Sequence, residues 1–214
     1  MVTARKSRMR SPLVEASITS EPMKAAGRRQ IISSAVLAMI IFVFVELMFF
    51  AGLISAFLIA KGSIPAFLWP PADQPRFPVA QTAVNTAVLL ASGVTCWLAA
   101  RNWRRGQAAR GLMAATMLLG AAFVALQGVE WVKLLKQGLT LFSSQAGAYF
   151  YLLVGAHGLH VIVGLGVLAW AALRMPSGRM VGGGLTNPQV TAVQVLWTFI
   201  VGLWPILYVL VYLS

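Results

Sequence analysis

Five apolar runs, each long enough to cross a lipid bilayer, constrain this chain more than any other feature of its sequence. A spanning helix takes about 20 mainly apolar residues, at 1.5 Å rise per residue, to cross a hydrocarbon layer roughly 30 Å thick. Residues 30–60, 77–100, 111–132, 144–173 and 190–213 reach that length, and the second and fourth carry no charged residue. In hydrocarbon a lone segment can satisfy its backbone N–H and C=O groups only by becoming a helix. The expected fold is therefore an all-α membrane protein, a bundle of five transmembrane helices. Composition agrees: 59% of the 214 residues are hydrophobic and 10% are charged, against roughly 45–50% and about 25% in soluble domains. A soluble enzyme, a disordered chain and a secreted disulfide scaffold are excluded, the last also because Cys96 is the single cysteine.

The net charge of +12 could suggest nucleic acid, but the basic residues sit at the ends of the apolar runs rather than on a polar surface, so no nucleic-acid partner is expected. Positive residues concentrate on the cytoplasmic side of membrane proteins. With the amino terminus inside, thirteen Lys and Arg fall inside and four, Lys61, Arg76, Lys133 and Lys136, fall outside. That distribution predicts the N-terminus inside and the C-terminus outside, as an odd number of helices requires. Residues 1–29 read as a basic, disordered cytoplasmic arm and 30–214 as the five-helix domain. The apolar run after Arg29 is about twice the length of a signal-peptide core, so a cleaved signal is not expected; a basic, serine-containing tail also has the look of an organellar transit peptide. Five of the ten prolines lie between residues 64 and 79, which predicts a stiff extended connector. Gly182, Gly183 and Gly184 predict a flexible last inner loop.

Four residues could carry chemistry inside the membrane. Glu46 lies roughly 22–24 Å along a helix beginning at residue 30. A carboxyl at such depth costs about 2.5–3.5 kcal/mol to insert and should face protein or a wet cavity. It reads either as part of a proton path or as an interhelical hydrogen bond. Glu130, near the end of the third run, has Lys133 three residues on, and the spacing suggests an interfacial ion pair. His157 and His160, the only histidines, are three apart and so roughly on one face. Two neighbours on one helix cannot ligate both faces of a haem, and a copper or zinc site takes three or four ligands. They read as hydrogen-bonding and packing groups, and no cofactor is expected on this chain. Along the second run Thr82, Asn85, Leu89, Ser92 and Cys96 form a small, polar face at helical spacing. Ala156, His160 and Gly164, Ala51 with Ser55, and Gly52 with Ala56 form small-residue stripes of the kind that lets helices approach in lipid. Pro205, flanked by Trp197, Trp204 and Tyr208, predicts a kink in the last helix.

Read in order, several stretches resemble subunit III of the haem–copper oxidases, the cytochrome c and quinol oxidase complexes. They are Val45-Glu46-Leu47-Met48-Phe49-Phe50-Ala51-Gly52-Leu53, Trp69-Pro70-Pro71, Asn85-Thr86-Ala87-Val88-Leu89-Leu90-Ala91-Ser92-Gly93-Val94, Leu126-Gln127-Gly128-Val129-Glu130, and Gly155-Ala156-His157-Gly158-Leu159-His160-Val161-Ile162-Val163-Gly164. The resemblance covers about residues 31–213 and implies a five-helix form without the two leading helices of longer members. It implies a non-redox accessory subunit of an aerobic terminal oxidase in a bacterial inner membrane. Such a subunit packs on catalytic subunit I, with subunit II and smaller subunits nearby, holds phospholipids, and supports proton uptake and turnover stability. Haem and copper are then expected in the partner subunits. The family's intramembrane polar positions match Glu46, Glu130, His157 and His160. The last helix departs: where the family usually has Trp-His-Phe-Val-Asp, this chain has Trp197-Thr198-Phe199-Ile200-Val201. That departure leaves open an accessory protein of a nitric oxide reductase system. An alternative of another class is a self-sufficient membrane metalloenzyme using His157, His160 and a glutamate. A small transporter is the generic fallback, though no inverted repeat supports it.

Overall fold

The computed structural model describes residues 33–63, 79–175 and 185–213. The expectations for the basic arm, the proline-rich connector and the Gly182–Gly184 loop concern residues outside these. The described residues form five long helices, α1 (Ser34–Gly62), α2 (Val79–Arg104), α3 (Arg110–Lys136), α4 (Gln145–Arg174) and α5 (Asn187–Tyr212), and contain no strand. All five are long and apolar enough to cross a membrane. At 1.5 Å per residue they are about 39–45 Å long, enough to pass through the hydrocarbon and into both headgroup layers.

Local sequence chemistry sets several helix ends. Gly106 and Gly138 have φ of 67° and 89°, in the left-handed region that costs glycine nothing. Each closes its helix with the same pair of bonds. Gly106 N donates to Trp103 O and Gln107 N to Asn102 O after α2; Gly138 N donates to Leu135 O and Leu139 N to Leu134 O after α3. Both are Schellman endings. At the start of α4, Ser144 Oγ accepts from Gly147 N at 2.9 Å. At the start of α5, Thr186 and Gln189 form a reciprocal capping box, with Pro188 in the first turn where its missing N–H is not needed. Pro205 does not end α5, which continues helical to Tyr212.

α5 is the hub, packed on α1, α2 and α4, while α3 packs between α2 and α4. Lipid offers no hydrophobic drive between helices, so contact depends on close fit. Trp197 of α5 supplies much of it and is 1% exposed. A Cβ at Gly120 of α3 would fall 2.9 Å from its ring, and one at Gly164 of α4 would fall 3.1 Å from it and 2.7 Å from Ile200. These two glycines form the slot that the indole fills. Val201 fits against α2 in the same way, 3.0 Å from where a Cβ of Gly93 would stand. The expected small face of α2 is inside: Thr82, Asn85, Leu89, Ser92 and Cys96 are each no more than 1% exposed. The small stripes of α1 are not. Ala51, Gly52, Ser55 and Ala56 are exposed, and only Phe50, Phe57 and Ala60 of α1 are buried. The reason is that α1 touches α4 and α5 on one narrow side, where Phe50 and Phe57 rather than small residues make the contact.

Overpacking a filled slot costs about 1–3 kcal/mol. Gly120→Val should therefore lower the stability of the folded chain by that much, whereas Gly52→Ala, which meets nothing within 4 Å, should change it by under about 0.5 kcal/mol. Unfolding in mixed micelles measures both; equal losses would show that the tryptophan slot is not holding the bundle.

Candidate functional site

The intramembrane polar residues divide into two systems. The first joins α1 to α4. Glu46 Oε2 lies 2.9 Å from His160 Nε2, and their side chains are 18% and 21% exposed. His160 Nδ1 lies 2.7 Å from Ala156 O, one turn back on α4. A carbonyl oxygen can only accept, so Nδ1 carries a proton and donates it. The Glu46–His160 contact then contains one further proton, either on the carboxyl or on Nε2. Both arrangements are neutral overall, so the pair crosses the apolar layer without net charge in either form. Phe50 stands edge-on to the imidazole at 5.1 Å between centroids, and Phe49 lies on another side at 6.4 Å. Phe50 is fully buried, so the pair has apolar protein beneath it and opens outward.

The second system is sealed inside α2, α3 and α5. Thr82 Oγ1 donates to Glu130 Oε2 at 2.9 Å. Asn85 Nδ2 donates to Gln127 Oε1 at 3.1 Å, and Gln127 Nε2 to the Tyr212 hydroxyl at 3.1 Å. That hydroxyl sits beside the Glu130 carboxyl. Thr82, Asn85, Gln127, Glu130 and Tyr212 are all buried. The seam continues along α2, where Trp204 Nε1 donates to Thr86 Oγ1 at 2.9 Å and Trp197 Nε1 to Ser92 Oγ at 3.2 Å.

Two expectations need correction. Glu130 is not in an interfacial ion pair with Lys133: it is 1% exposed and turned towards α2 and α5, while Lys133 Nζ donates to Gln81 Oε1 at 3.3 Å. A three-residue step is about 60° short of a full turn. That is enough to aim the carboxyl inward and the ammonium towards the surface. The two histidines also serve different neighbours. His160 meets α1, whereas His157 is fully buried, stacked on Trp204 of α5 with centroids 5.0 Å apart and edge-on to Phe123 of α3 at 6.2 Å. Neither nitrogen of His157 has a hydrogen-bond partner among the described residues, and its contacts there are with aromatic rings. No group of three or more His, Cys, Asp or Glu able to hold a metal ion occurs among the described residues; His157, His160 and a glutamate do not converge. The long-range pairings, 114 residues apart for Glu46–His160 and 48 for Thr82–Glu130, leave no mark in the sequence. The polar face of α2 was the one signal pointing to the second.

Comparison with known proteins gives one consistent result. The family model described as Cytochrome c oxidase subunit III matches residues 16–214. A probable cytochrome c oxidase subunit 3 of Nocardia farcinica is 36% identical over 172 residues, which cover 78% of this chain and 81% of the relative. A probable cytochrome c oxidase subunit 3 of Mycobacterium leprae is 34% identical over the same length and coverage. The cytochrome c oxidase subunit 3 of Cyprinus carpio is 34% identical over 180 residues, 81% of this chain and 67% of its own.

A double-mutant cycle on the sealed system gives a direct test. Interhelical hydrogen bonds in membranes couple by about 0.6–1.7 kcal/mol. Thr82→Val and Glu130→Leu should couple by that much in unfolding free energy, while Lys133→Gln and Glu130→Leu should couple by less. Coupling in the second pair and none in the first would restore the ion pair.

Proposed function

The chain belongs to the cytochrome c oxidase subunit III family, and on that premise we propose that it is a non-redox accessory subunit of an aerobic terminal oxidase of the cytochrome c type. In this reading it is a multi-pass protein of a bacterial inner membrane. It packs on the haem–copper catalytic subunit, with subunit II and smaller subunits in the same complex, and holds phospholipids. Haem and copper belong to those partners. The observation that carries the reading beyond membership is the Glu46–His160 pair, a neutral, one-proton contact placed where the bundle opens outward. A group of that kind supports proton uptake by the complex and ties α1, the least embedded helix, to α4. Glu130 and its neighbours have the structural part, holding α2, α3 and α5 in register.

The alternative in a nitric oxide reductase system drew on Thr198 and Val201. Val201 is 6% exposed and fitted against Gly93, and Thr198 is on the exposed side of α5. Local packing accommodates both residues, so neither favours that alternative. The basic residues at the α2–α3 turn, Arg101, Arg104, Arg105 and Arg110, support that end as cytoplasmic, with the N-terminus inside and the C-terminus outside.

The chain should co-purify with a haem-bearing subunit in mild detergent, and isolation without one would refute the role. In that complex Glu46→Ala should slow steady-state proton uptake or shorten the working life of the enzyme while leaving the haem spectra unchanged. Glu46→Gln, whose amide can still donate to His160 Nε2, should preserve the attachment of α1 but not the proton. An uptake rate in Glu46→Gln equal to wild type would assign the pair to structure alone. Alkaline phosphatase fused after Leu213 should be active, and inactive when fused in the α2–α3 turn.

A further inference from the structure

The turn between α3 and α4 carries the most exposed large apolar side chain among the described residues. Phe142 is 93% exposed and its neighbour Leu141 46%, yet the backbone beneath them is held at several points. Ser143 N and Ser143 Oγ donate to Thr140 O at 3.3 and 2.9 Å, and Thr140 N donates back to Ser143 Oγ at 3.0 Å. Leu139, just before the turn, is 1% exposed, and its carbonyl accepts from the Tyr151 hydroxyl at 2.8 Å. The turn lies against the start of α4 at Gly147, where a Cβ would fall 2.6 Å from Thr140 O and 3.1 Å from Ser143 Oγ. Leu139 is thus sunk into the bundle, while Leu141 and Phe142 are held out of it.

The height of the turn says what can cover it. Trp131 of α3 and Tyr151 of α4 pack edge-on at 5.7 Å, a pair of amphipathic rings of the kind that marks the edge of the hydrocarbon. From Tyr151 back to Gln145, the first residue of α4, is about 9 Å along the helix, and Phe142 comes before that. The headgroups on one side of a bilayer add only about 5–8 Å, so Phe142 stands at the lipid surface, out of reach of acyl chains. Lys133 and Lys136 are exposed in the last turn of α3, at the same end. The only side-chain carboxylates among the described residues are Glu46, part way along α1, and Glu130, which is 1% exposed and turned inward. The described part of this end therefore presents an apolar knob beside positive charge.

We propose that the turn at Leu141 and Phe142 docks into an extramembrane domain of another polypeptide, in an apolar socket whose rim carries carboxylates facing Lys133 and Lys136. The inference adds a contact to the complex proposed above and rests on that reading. The turn is formed in advance, so docking costs little conformational freedom. Aromatic anchors in desolvated pockets carry most of the energy of such contacts, and charges at the rim steer and orient the partner.

The test places the photoreactive residue p-benzoylphenylalanine at position 142 of the full chain in its native membrane, and identifies the cross-linked peptides by mass spectrometry. The same probe in place of Leu118, 72% exposed on α3, reports contact with lipid. The probe at 142 should join one other polypeptide, in a segment outside its membrane spans with Asp or Glu beside the joined residue. Lys133→Glu with Lys136→Glu should cut that adduct severalfold. Phe142→Ser should speed loss of the same polypeptide from the detergent-purified complex by about tenfold or more. All three side chains are exposed, so both variants should keep the unfolding midpoint of the wild-type chain. No protein adduct, adducts to lipid alone, to residues 64–78 of the same chain or to a second copy each overturn the proposal, as does an adduct that the charge reversal leaves unchanged. A complex that assembles normally while giving one of these results loses only this contact. A wild-type chain that purifies without any partner refutes the accessory role and the knob together.

Discussion

A helix surrounded by hydrocarbon gains nothing by burying leucine against another helix, because the lipid tails it leaves are as apolar as the partner it meets. Everything that gives this bundle one arrangement has to come from fit and from polar groups that lipid cannot satisfy. Both devices converge on α5. Trp197 fills the slot left by Gly120 and Gly164, and its indole N–H, which would otherwise be stranded in a dry core, donates to Ser92 on α2. Trp204 repeats the arrangement one level along, donating to Thr86 while its ring stacks on His157. Each tryptophan therefore ties α5 to three other helices, to α2 by hydrogen bond and to α3 and α4 by ring contact. Shape alone would allow a slide along the helix axis. The hydrogen bond forbids it.

The same constraint explains how unevenly the helices are embedded. α2, with a polar seam from Thr82 to Ser92, cannot face lipid on that side and is pressed between α3 and α5. α1 has the opposite character: apart from Glu46 it offers lipid an acceptable surface all round, and only Phe50, Phe57 and Ala60 are buried. One hydrogen bond to His160 and the edge contact of Phe57 with Tyr149 at 6.0 Å give it a fixed rotation. A lone carboxyl thus does for α1 what a whole seam does for α2.

Much of this was legible in the sequence, and the reason is physical. Helix count follows from the cost of unpaired backbone in lipid, which leaves apolar runs of about 20 residues one conformation each. The buried face of α2 followed from helical spacing of polar and small residues. Side-chain aim was harder. Glu130 and Lys133 share a surface on a helical wheel, yet the carboxyl turns inward to Thr82 because a buried hydroxyl on α2 waits there; nothing within α3 records it. His157 and His160 likewise look like one face, and a 60° difference sends them to α5 and α1. The small stripes of α1 matched the pattern of a packing face and turned out exposed, since small residues permit close approach only where a neighbour exists to approach.

The proton arithmetic of Glu46 and His160 constrains what the pair can do. With Nδ1 committed to Ala156 O, the ring has one nitrogen free for exchange, and that nitrogen already faces Glu46. To hand a proton onward through the ring, the Ala156 bond would have to break and the imidazole turn, against the edge of Phe50 on one side and Phe49 on another. Buried aromatic rings, His157 and Trp204 among them, occupy the interior. In the proposed role the pair meets its surroundings at its outward face, where the Glu46 side chain is 18% exposed.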